Sequence, residues 1–219
     1  MVDGRGRRLV RQIWWITSCR WSPTTGKWTL SFPRWLRFRL LGDKALVSEV
    51  LLVFVRVVSA YHRRRARHRG IAGGQTGAVT AIQRVGSFAN ANLHFHTLVP
   101  EGVWHERPDG SLGFHPLPPP TDEDVEEIAA RVVGRIRRLL ESRDGDAVDD
   151  EPDALAHAQA EAVQLPLAEP PPRTSTSRCR CAFIDGFSLH ADTSVDAGDR
   201  PALERLVRYL LRPLISPTD

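Results

Sequence analysis

The chain has 219 residues, of which 42% are hydrophobic and 26% are charged. This balance supports a globular core and excludes collagen-like, coiled-coil and wholly disordered proteins. The net charge of +4 is unevenly distributed, because residues 1–100 contain 17 Lys and Arg against 3 Asp and Glu, whereas the remainder contains 13 against 23. A basic half of this kind is typical of proteins that bind polyanions.

The longest apolar segments, around residues 45–60 and 203–211, are interrupted by charged side chains, so we expect no membrane span. Cys19, Cys179 and Cys181 form no CxxC pair, which argues against a disulfide framework and against a four-ligand zinc site. We therefore expect a cytoplasmic protein without a membrane partner.

Residues 1–27 show neither helical nor strand periodicity, and Gly26 with Lys27 is typical of a turn, so we expect a poorly ordered basic leader. After Asp43, apolar residues recur at spacings of three and four and predict a helix over residues 43–68. Its last turns are either a solvated basic end or, as we predict, a surface that contacts phosphates. The arginines concerned are Arg63, Arg64, Arg65, Arg67 and Arg69.

Further along the chain, the pattern predicts strands over residues 78–85 and 92–99 and a hairpin of residues 101–105 and 112–114. A helix is predicted over 121–142, and an acidic, proline-rich linker or insertion over 142–178. Strand segments around Asp185-Gly186 reach residue 195, and a last helix spans 199–211. The predicted fold class is α+β, with helices packed on a central, mostly antiparallel sheet.

Two histidines within one predicted strand are the most informative feature. His94 and His96 project to the same face, about 6.6 to 7 Å apart at their Cα atoms. Such a pair can bind one divalent ion, although half-exposed histidines at this spacing are also common in strands. Gln83, on the preceding strand, is a candidate third ligand. Other polar residues nearby are expected at the surface: Glu101, His105, His115 and His190.

Two longer runs around this pair carry a family resemblance. Residues 75–87 and 90–103 resemble the catalytic segment of the tyrosine transposases of rolling-circle insertion sequences, which belong to the His-hydrophobic-His (HUH) superfamily of single-strand DNA endonucleases. Shorter matches lie at residues 28–33, 36–40, 185–191 and 208–213. The resemblance implies that residues 28–141 and 179–213 are two parts of one catalytic domain, followed by a tail at 214–219.

The resemblance also implies a chemistry. Tyr209 would attack a phosphorus of single-stranded DNA at an insertion-sequence end and leave a 5′-phosphotyrosine link. His94 and His96, with Gln83, would hold the Mg or Mn ion that assists this step. Arg205 and Arg208 would contact DNA phosphates, as would the five arginines of the first predicted helix. The second tyrosine, Tyr61, is expected to pack or to stack on a base.

The resemblance covers neither end of such transposases, so the chain is expected to be shortened at both ends. Two alternatives to an active transposase stay open. The first is a catalytically inactive remnant that still binds DNA. The second is a cupin-type metalloenzyme, because cupins also carry a His-x-His pair on a strand.

Overall fold

The computed structural model describes residues 23–85, 91–146 and 180–211. Strands and helices are mixed along the chain, in agreement with the predicted α+β class. The described elements are β1 (Thr25–Ser31), α1 (Arg34–Gly42), α2 (Lys44–His68), β2 (Val79–Val85), β3 (Ala91–Pro100), β4 (Gly102–Glu106), β5 (Leu112–Pro116), α3 (Asp122–Asp146), β6 (Cys181–Ile184), β7 (Phe187–Val195) and α4 (Arg200–Leu211).

One five-stranded sheet organises these elements. Its strand order is β2-β3-β1-β7-β6, and every neighbouring pair is antiparallel, whereas β4 and β5 form a separate hairpin. Strand β1 is central, because it pairs with β3 on one side and with β7 on the other. The segment that follows the acidic stretch therefore completes the same sheet as the segment that precedes it.

The position of β1 corrects the expected leader and turn. Thr25, Gly26 and Lys27 are strand residues, each paired in register with residues of β3 and β7. A Thr-Gly-Lys segment has weak strand propensity, and the ladder on both sides supplies the stability that local sequence does not. Helix α1 was likewise not expected. The remainder of the expected leader, residues 1–22, lies outside the described residues.

The three predicted helices are confirmed, and their first turns are closed by side chains. Asp43 accepts a hydrogen bond from the Leu46 amide (2.9 Å), and Asp199 accepts one from the Ala202 amide (3.0 Å). Thr121 and Asp124 bond each other's amides reciprocally, as in a capping box. These caps satisfy amides that have no partner inside the helix.

Helix α3 ends later than expected. It continues to Asp146, past the predicted end at residue 142, which shortens the predicted linker. Arg143 forms ion pairs with Asp43 and Glu49 at 3.2 Å each, and Arg39 pairs with Asp144. These contacts to α1 and α2 hold the last turn against the domain. The rest of the predicted linker and the predicted tail lie outside the described residues.

The sheet packs helices on both faces. The main core lies on the face of Leu30 and Phe95, where it includes Phe54 of α2 and Ile128 of α3. A smaller cluster on the opposite face joins Leu98 and Val195 of the sheet to apolar residues of α4. Burying each such side chain contributes about 1.5–3 kcal/mol. Because α4 packs at one end of its face, side chains nearer β6 stay accessible.

Within the described ranges, α2 is the one helix that meets the length and composition criterion for crossing a membrane. Core helices of globular proteins meet the same criterion, so this finding does not contradict the expectation of no membrane span. Its buried residues Val50, Phe54 and Val58 belong to the core that also contains Leu30 and Phe95. The apolar character of α2 is thus explained by packing inside the domain.

Candidate active site

The two histidines lie on the sheet face that α4 partly covers. Strand β3 directs Leu93, Phe95, Thr97 and Val99 into the main core, so His94 and His96 take the other face. Their ring centroids are 4.7 Å apart, nearly perpendicular to each other. Two imidazoles at this distance can approach one shared ligand.

His96 is buried, with one ring nitrogen bonded and the other without a partner. Its Nδ1 is 3.1 Å from Oγ1 of Thr29, the residue directly opposite on β1. Its Nε2 is buried and makes no hydrogen bond in the structure. Burial, together with the electrostatic influence of His94 and Lys27, lowers the pKa of His96 to about 4, so the ring is neutral at pH 7. A neutral imidazole can present a nitrogen lone pair.

His94 is oriented by the main chain. Its Nδ1 lies 2.7 Å from the carbonyl oxygen of Asn92, a distance at which Nδ1–H donates to that oxygen. In the tautomer that this hydrogen bond favours, the lone pair is on Nε2. Hydrogen bonds of this kind, to a carbonyl or to a side-chain oxygen, are how proteins fix the tautomer and direction of metal-binding histidines.

Gln83 lies directly opposite His94 in the β2–β3 register and is half-buried. Its position on the same sheet face as His94 and His96 fits the predicted role of its amide oxygen as a third metal ligand. Within the described part of the chain, no group of three or more His, Cys, Asp or Glu side chains is placed to hold a metal ion. Among the described residues, a third protein ligand at this pair would therefore be an amide, hydroxyl or backbone carbonyl oxygen.

Tyr209 projects from α4 toward the histidine pair. Its ring centroid is 6.2 Å from that of His96, and 55% of the residue is exposed. Nζ of Lys27 lies 5.9 Å from the centroid of the same ring. Leu210, next in the chain, is buried against the sheet and anchors this turn of the helix. The structure thus brings the predicted nucleophile and the predicted metal ligands to one face.

The two arginines predicted to contact DNA, Arg205 and Arg208, lie on the same helix as Tyr209. Arg205 is exposed and precedes Tyr209 by four residues, so the two share a helix face. Arg208 is 82% exposed at its side chain and lies 3.8 Å from Glu204, a long ion pair at the surface. Both guanidinium groups remain accessible to a ligand that approaches Tyr209.

The arginines of α2 are not part of this constellation. The helix packs through Val57, Val58 and Tyr61 into the main core, on the sheet face away from the histidines. Arg64 pairs with Glu127 at 3.1 Å, and Arg65 donates to the Tyr61 hydroxyl and to the Pro118 carbonyl. Their guanidinium groups are therefore engaged within the protein.

The other three of the five predicted DNA-contacting arginines, Arg63, Arg67 and Arg69, are exposed, and Arg69 directly follows the last residue of α2. Arg63 and Arg67, one helical turn apart, line a pocket of about 210 Å³ with residues 73–75. Hydrogen bonds between the backbones of Gln75 and Trp104, at 2.7 and 2.8 Å, hold that loop. The basic end of α2 is thus divided between internal ion pairing and an open, positively charged pocket.

One of the polar residues expected at the surface is buried. Glu101 is 5% exposed, and burial raises the pKa of its carboxyl above the usual value. The extended chain between β3 and β4 encloses it, since its amide donates to the Thr24 carbonyl and its carbonyl accepts from the Leu117 amide. Sequence reasoning missed this because the two hydrogen-bonded partners are distant along the chain.

Sequence reasoning also missed two residues of the candidate site. Lys27 and Thr29 lie on β1 and reach Tyr209 and His96, respectively. The available signal was the alternation from residue 25 to 31, where Trp28 and Leu30 are apolar and the residues between them are polar. The expected leader, residues 1–27, contained the first three residues of β1, so the alternation was not recognised as a strand.

A comparison with protein families identifies the class of the molecule. Residues 77–218, more than half of the chain, match the model of one family of DNA-processing enzymes. The chain belongs to that family, which is described as "Putative transposase" and acts in DNA transposition. Searches of curated proteins and of solved structures find no match to this chain.

Proposed function

We propose that this transposase cleaves and rejoins single-stranded DNA through Tyr209, assisted by a divalent metal ion held at His94 and His96. The observation that carries the proposal is the 6.2 Å separation between the rings of Tyr209 and His96, residues from separate elements of the fold. A nucleophile and a pair of ligands on one accessible face can engage the same phosphate.

The residues present fit a metal ion. The buried Nε2 of His96 makes no hydrogen bond, and Nδ1 of each histidine is held by an oxygen of Thr29 or Asn92. An unpaired buried nitrogen costs free energy that ligation would recover. A bound Mg or Mn ion would polarise the scissile phosphate and offset the charge that builds on it. We propose Gln83 as the third protein ligand.

The reaction that this arrangement supports is a transesterification. The Tyr209 phenol oxygen attacks phosphorus, and the bond from phosphorus to the 3′ oxygen breaks. The phenol proton passes to solvent, and the departing 3′ oxygen takes up a proton as a free hydroxyl. The 5′-phosphotyrosine link keeps the energy of the broken bond for rejoining. The Lys27 ammonium lies near the ring, where its charge would help to hold the phosphate beside the nucleophile.

In this proposal, exposed arginine side chains bind DNA at two places. Arg205 and Arg208 contact the strand that enters the site from α4. Arg63, Arg67 and Arg69, with the pocket at residues 73–75, contact a DNA segment on the opposite face of the sheet. Arg64 and Arg65 have a smaller part, because their guanidinium groups are engaged by Glu127, Tyr61 and Pro118.

The test is covalent capture. The full chain is incubated with Mn²⁺ and single-stranded oligonucleotides that carry candidate element ends, and adducts are resolved on a denaturing gel. We expect an adduct that depends on the metal, is lost in Tyr209→Phe and falls by about 100-fold or more in His94→Ala and His96→Ala. An adduct that persists in Tyr209→Phe would refute the assignment of the nucleophile.

The two alternatives give different outcomes. An inactive remnant retains salt-sensitive DNA binding and forms no adduct with any oligonucleotide in the panel. A cupin would have a closed barrel, whereas the sheet formed by the described residues is open, with β2 and β6 at its edges. The observed architecture therefore does not favour the cupin alternative.

A further inference from the structure

We propose that Phe183 is a stacking platform for a nucleobase of the single-stranded DNA that reaches the histidine pair. The inference rests on the proposed function for the identity of the ligand. It adds a binding site on β6, outside the candidate active site described above. Phe183 plays no part in the core, since 71% of it is exposed.

The strand register puts Phe183 in line with His94. Phe183 lies opposite Ser188 of β7, which lies opposite Ser31 of β1, which lies opposite His94 of β3 and then Gln83 of β2. Residues directly opposite in antiparallel strands share a face. With strands about 4.8 Å apart, Phe183 is about 14 Å from His94 across the sheet, a span of a few nucleotides.

The β6 end of this row is not covered by α4. Helix α4 packs farther along the strands, against Leu98 of β3 and Val195 of β7. Among the described strands, β6 is the last of the sheet, so Phe183 has a neighbouring described strand on one side. Its ring makes an edge-to-face contact with His190, at 5.5 Å between centroids. An aromatic ring held in this way and open to solvent is what a stacking base requires.

The platform is held rigidly. Asp185 and Gly186 form the two-residue turn between β6 and β7, both with positive φ (51° and 79°), as in the turns that favour tight hairpins. Arg137 of α3 donates to Asp185 at 2.7 Å. Ala182, the preceding residue, is buried in the main core. Binding a base therefore requires little ordering of the protein, which favours affinity.

The chemistry of the row suits a nucleic acid strand. Between Phe183 and His94 the row contains Ser188 and Ser31, whose small hydroxyl side chains can donate to phosphate oxygens. The row contains no carboxylate to repel a polyanion. An aromatic ring at one end and a phosphate-reactive site at the other therefore fit a strand that lies across the sheet with one base stacked at its edge.

The experiment compares two labelled strands of equal length, oligo(dT) and an abasic deoxyribose-phosphate strand, by fluorescence anisotropy with the full chain. Stacking tolerates any base, so the unknown target sequence is not needed. We expect Phe183→Ala to weaken oligo(dT) binding by about fivefold to a hundredfold and to leave abasic-strand binding unchanged. Phe183→Trp should restore the preference. The salt dependence should not change, because no phosphate contact is removed.

Leu112→Ala is the matched control, since Leu112 of β5 is also 71% exposed and lies outside the large sheet. An unchanged oligo(dT) preference in Phe183→Ala, or an equal loss in Leu112→Ala, would overturn the proposal. So would a wild-type dimer that Phe183→Ala converts to a monomer in sedimentation, because a second copy would then cover the ring. Adduct formation reports separately on Tyr209: stacking without an adduct refutes only the proposed mechanism.

Discussion

Tyr209 and His96 come from a helix and a strand that are far apart in the chain, and their rings lie 6.2 Å apart. The packing of α4 creates this relationship. Leu203, Val207 and Leu210 of α4 bury against Leu98, which lies two residues beyond His96 on the same face of β3. The apolar cluster therefore sets the distance between the phenol and the imidazole.

The two tyrosines are expected to respond differently to removal of the hydroxyl. Tyr61 is buried, donates to Asp124 (2.9 Å) and accepts from Arg65 (2.6 Å), and burial raises the pKa of its phenol. Tyr61→Phe should lower the free energy of unfolding by about 1 kcal/mol and leave adduct formation intact. Tyr209→Phe should leave the free energy of unfolding unchanged and abolish adduct formation. Denaturant unfolding and the adduct gel measure the two effects, and loss of the adduct in Tyr61→Phe would contradict the assignment.

The hydrogen bond between Thr29 and His96 should tune the histidine site. Thr29→Val keeps the shape of the side chain but removes the oxygen that lies 3.1 Å from His96 Nδ1. We expect the affinity for Mn²⁺ to fall by about 10- to 100-fold, measured by calorimetric titration.

Thr80→Val is the control for Thr29→Val, because it removes a threonine hydroxyl from β2 that bonds Thr97 at 2.8 Å, on the core side of the sheet. Its affinity for Mn²⁺ should match that of the wild type. Equal affinities in Thr29→Val and wild type would show that Thr29 does not orient a ligand.

The arginines of α2 should divide into two groups in DNA binding. The double variant Arg63→Gln with Arg67→Gln removes both cations of the pocket and should reduce the slope of log affinity against log salt by about 1 to 2. Arg64→Gln should change this slope little, because Arg64 already pairs with Glu127. The comparison is made by titration at several salt concentrations, and an equal effect of both changes would show that the pocket has no special role.

The stability of the fold should decrease in mild acid. His62 is buried, neither ring nitrogen has a partner, and burial with the nearby Arg65 lowers its pKa to about 4. In the unfolded chain the ring takes up a proton below about pH 6.5. Protonation therefore favours the unfolded state as the pH falls from about 6.5 to about 4, and the contribution is fully present above that range. His96 adds an effect of the same sign.

His62→Leu should flatten this pH dependence. The substitution removes two buried, unpaired nitrogens and retains an apolar side chain in the core. Unfolding in urea at a series of pH values between 4 and 7 measures the effect. A slope identical to that of the wild type would mean that the pKa of His62 is the same in the folded protein as in the unfolded chain.

The sequence by itself determined α2, α3 and α4 and the histidine pair. The starts of these three helices could be predicted from Asp43, Thr121 and Asp199, because capping depends on residues within one turn of each other. The shared face of His94 and His96 follows from the two-residue period of a strand. Both are local properties, for which the spacing of residue types along the chain is sufficient.

Tertiary structure alone decided which other residues lie beside the histidine pair and which do not. Lys27 and Thr29 come beside Tyr209 and His96 because β1 pairs with β3, and Arg64 and Arg65 are diverted from solvent because α2 packs on α3. A sequence pattern records how a residue type recurs, but ion pairs and strand register depend on free energies summed over partners distant in the chain. Those partners become neighbours only when the core has formed.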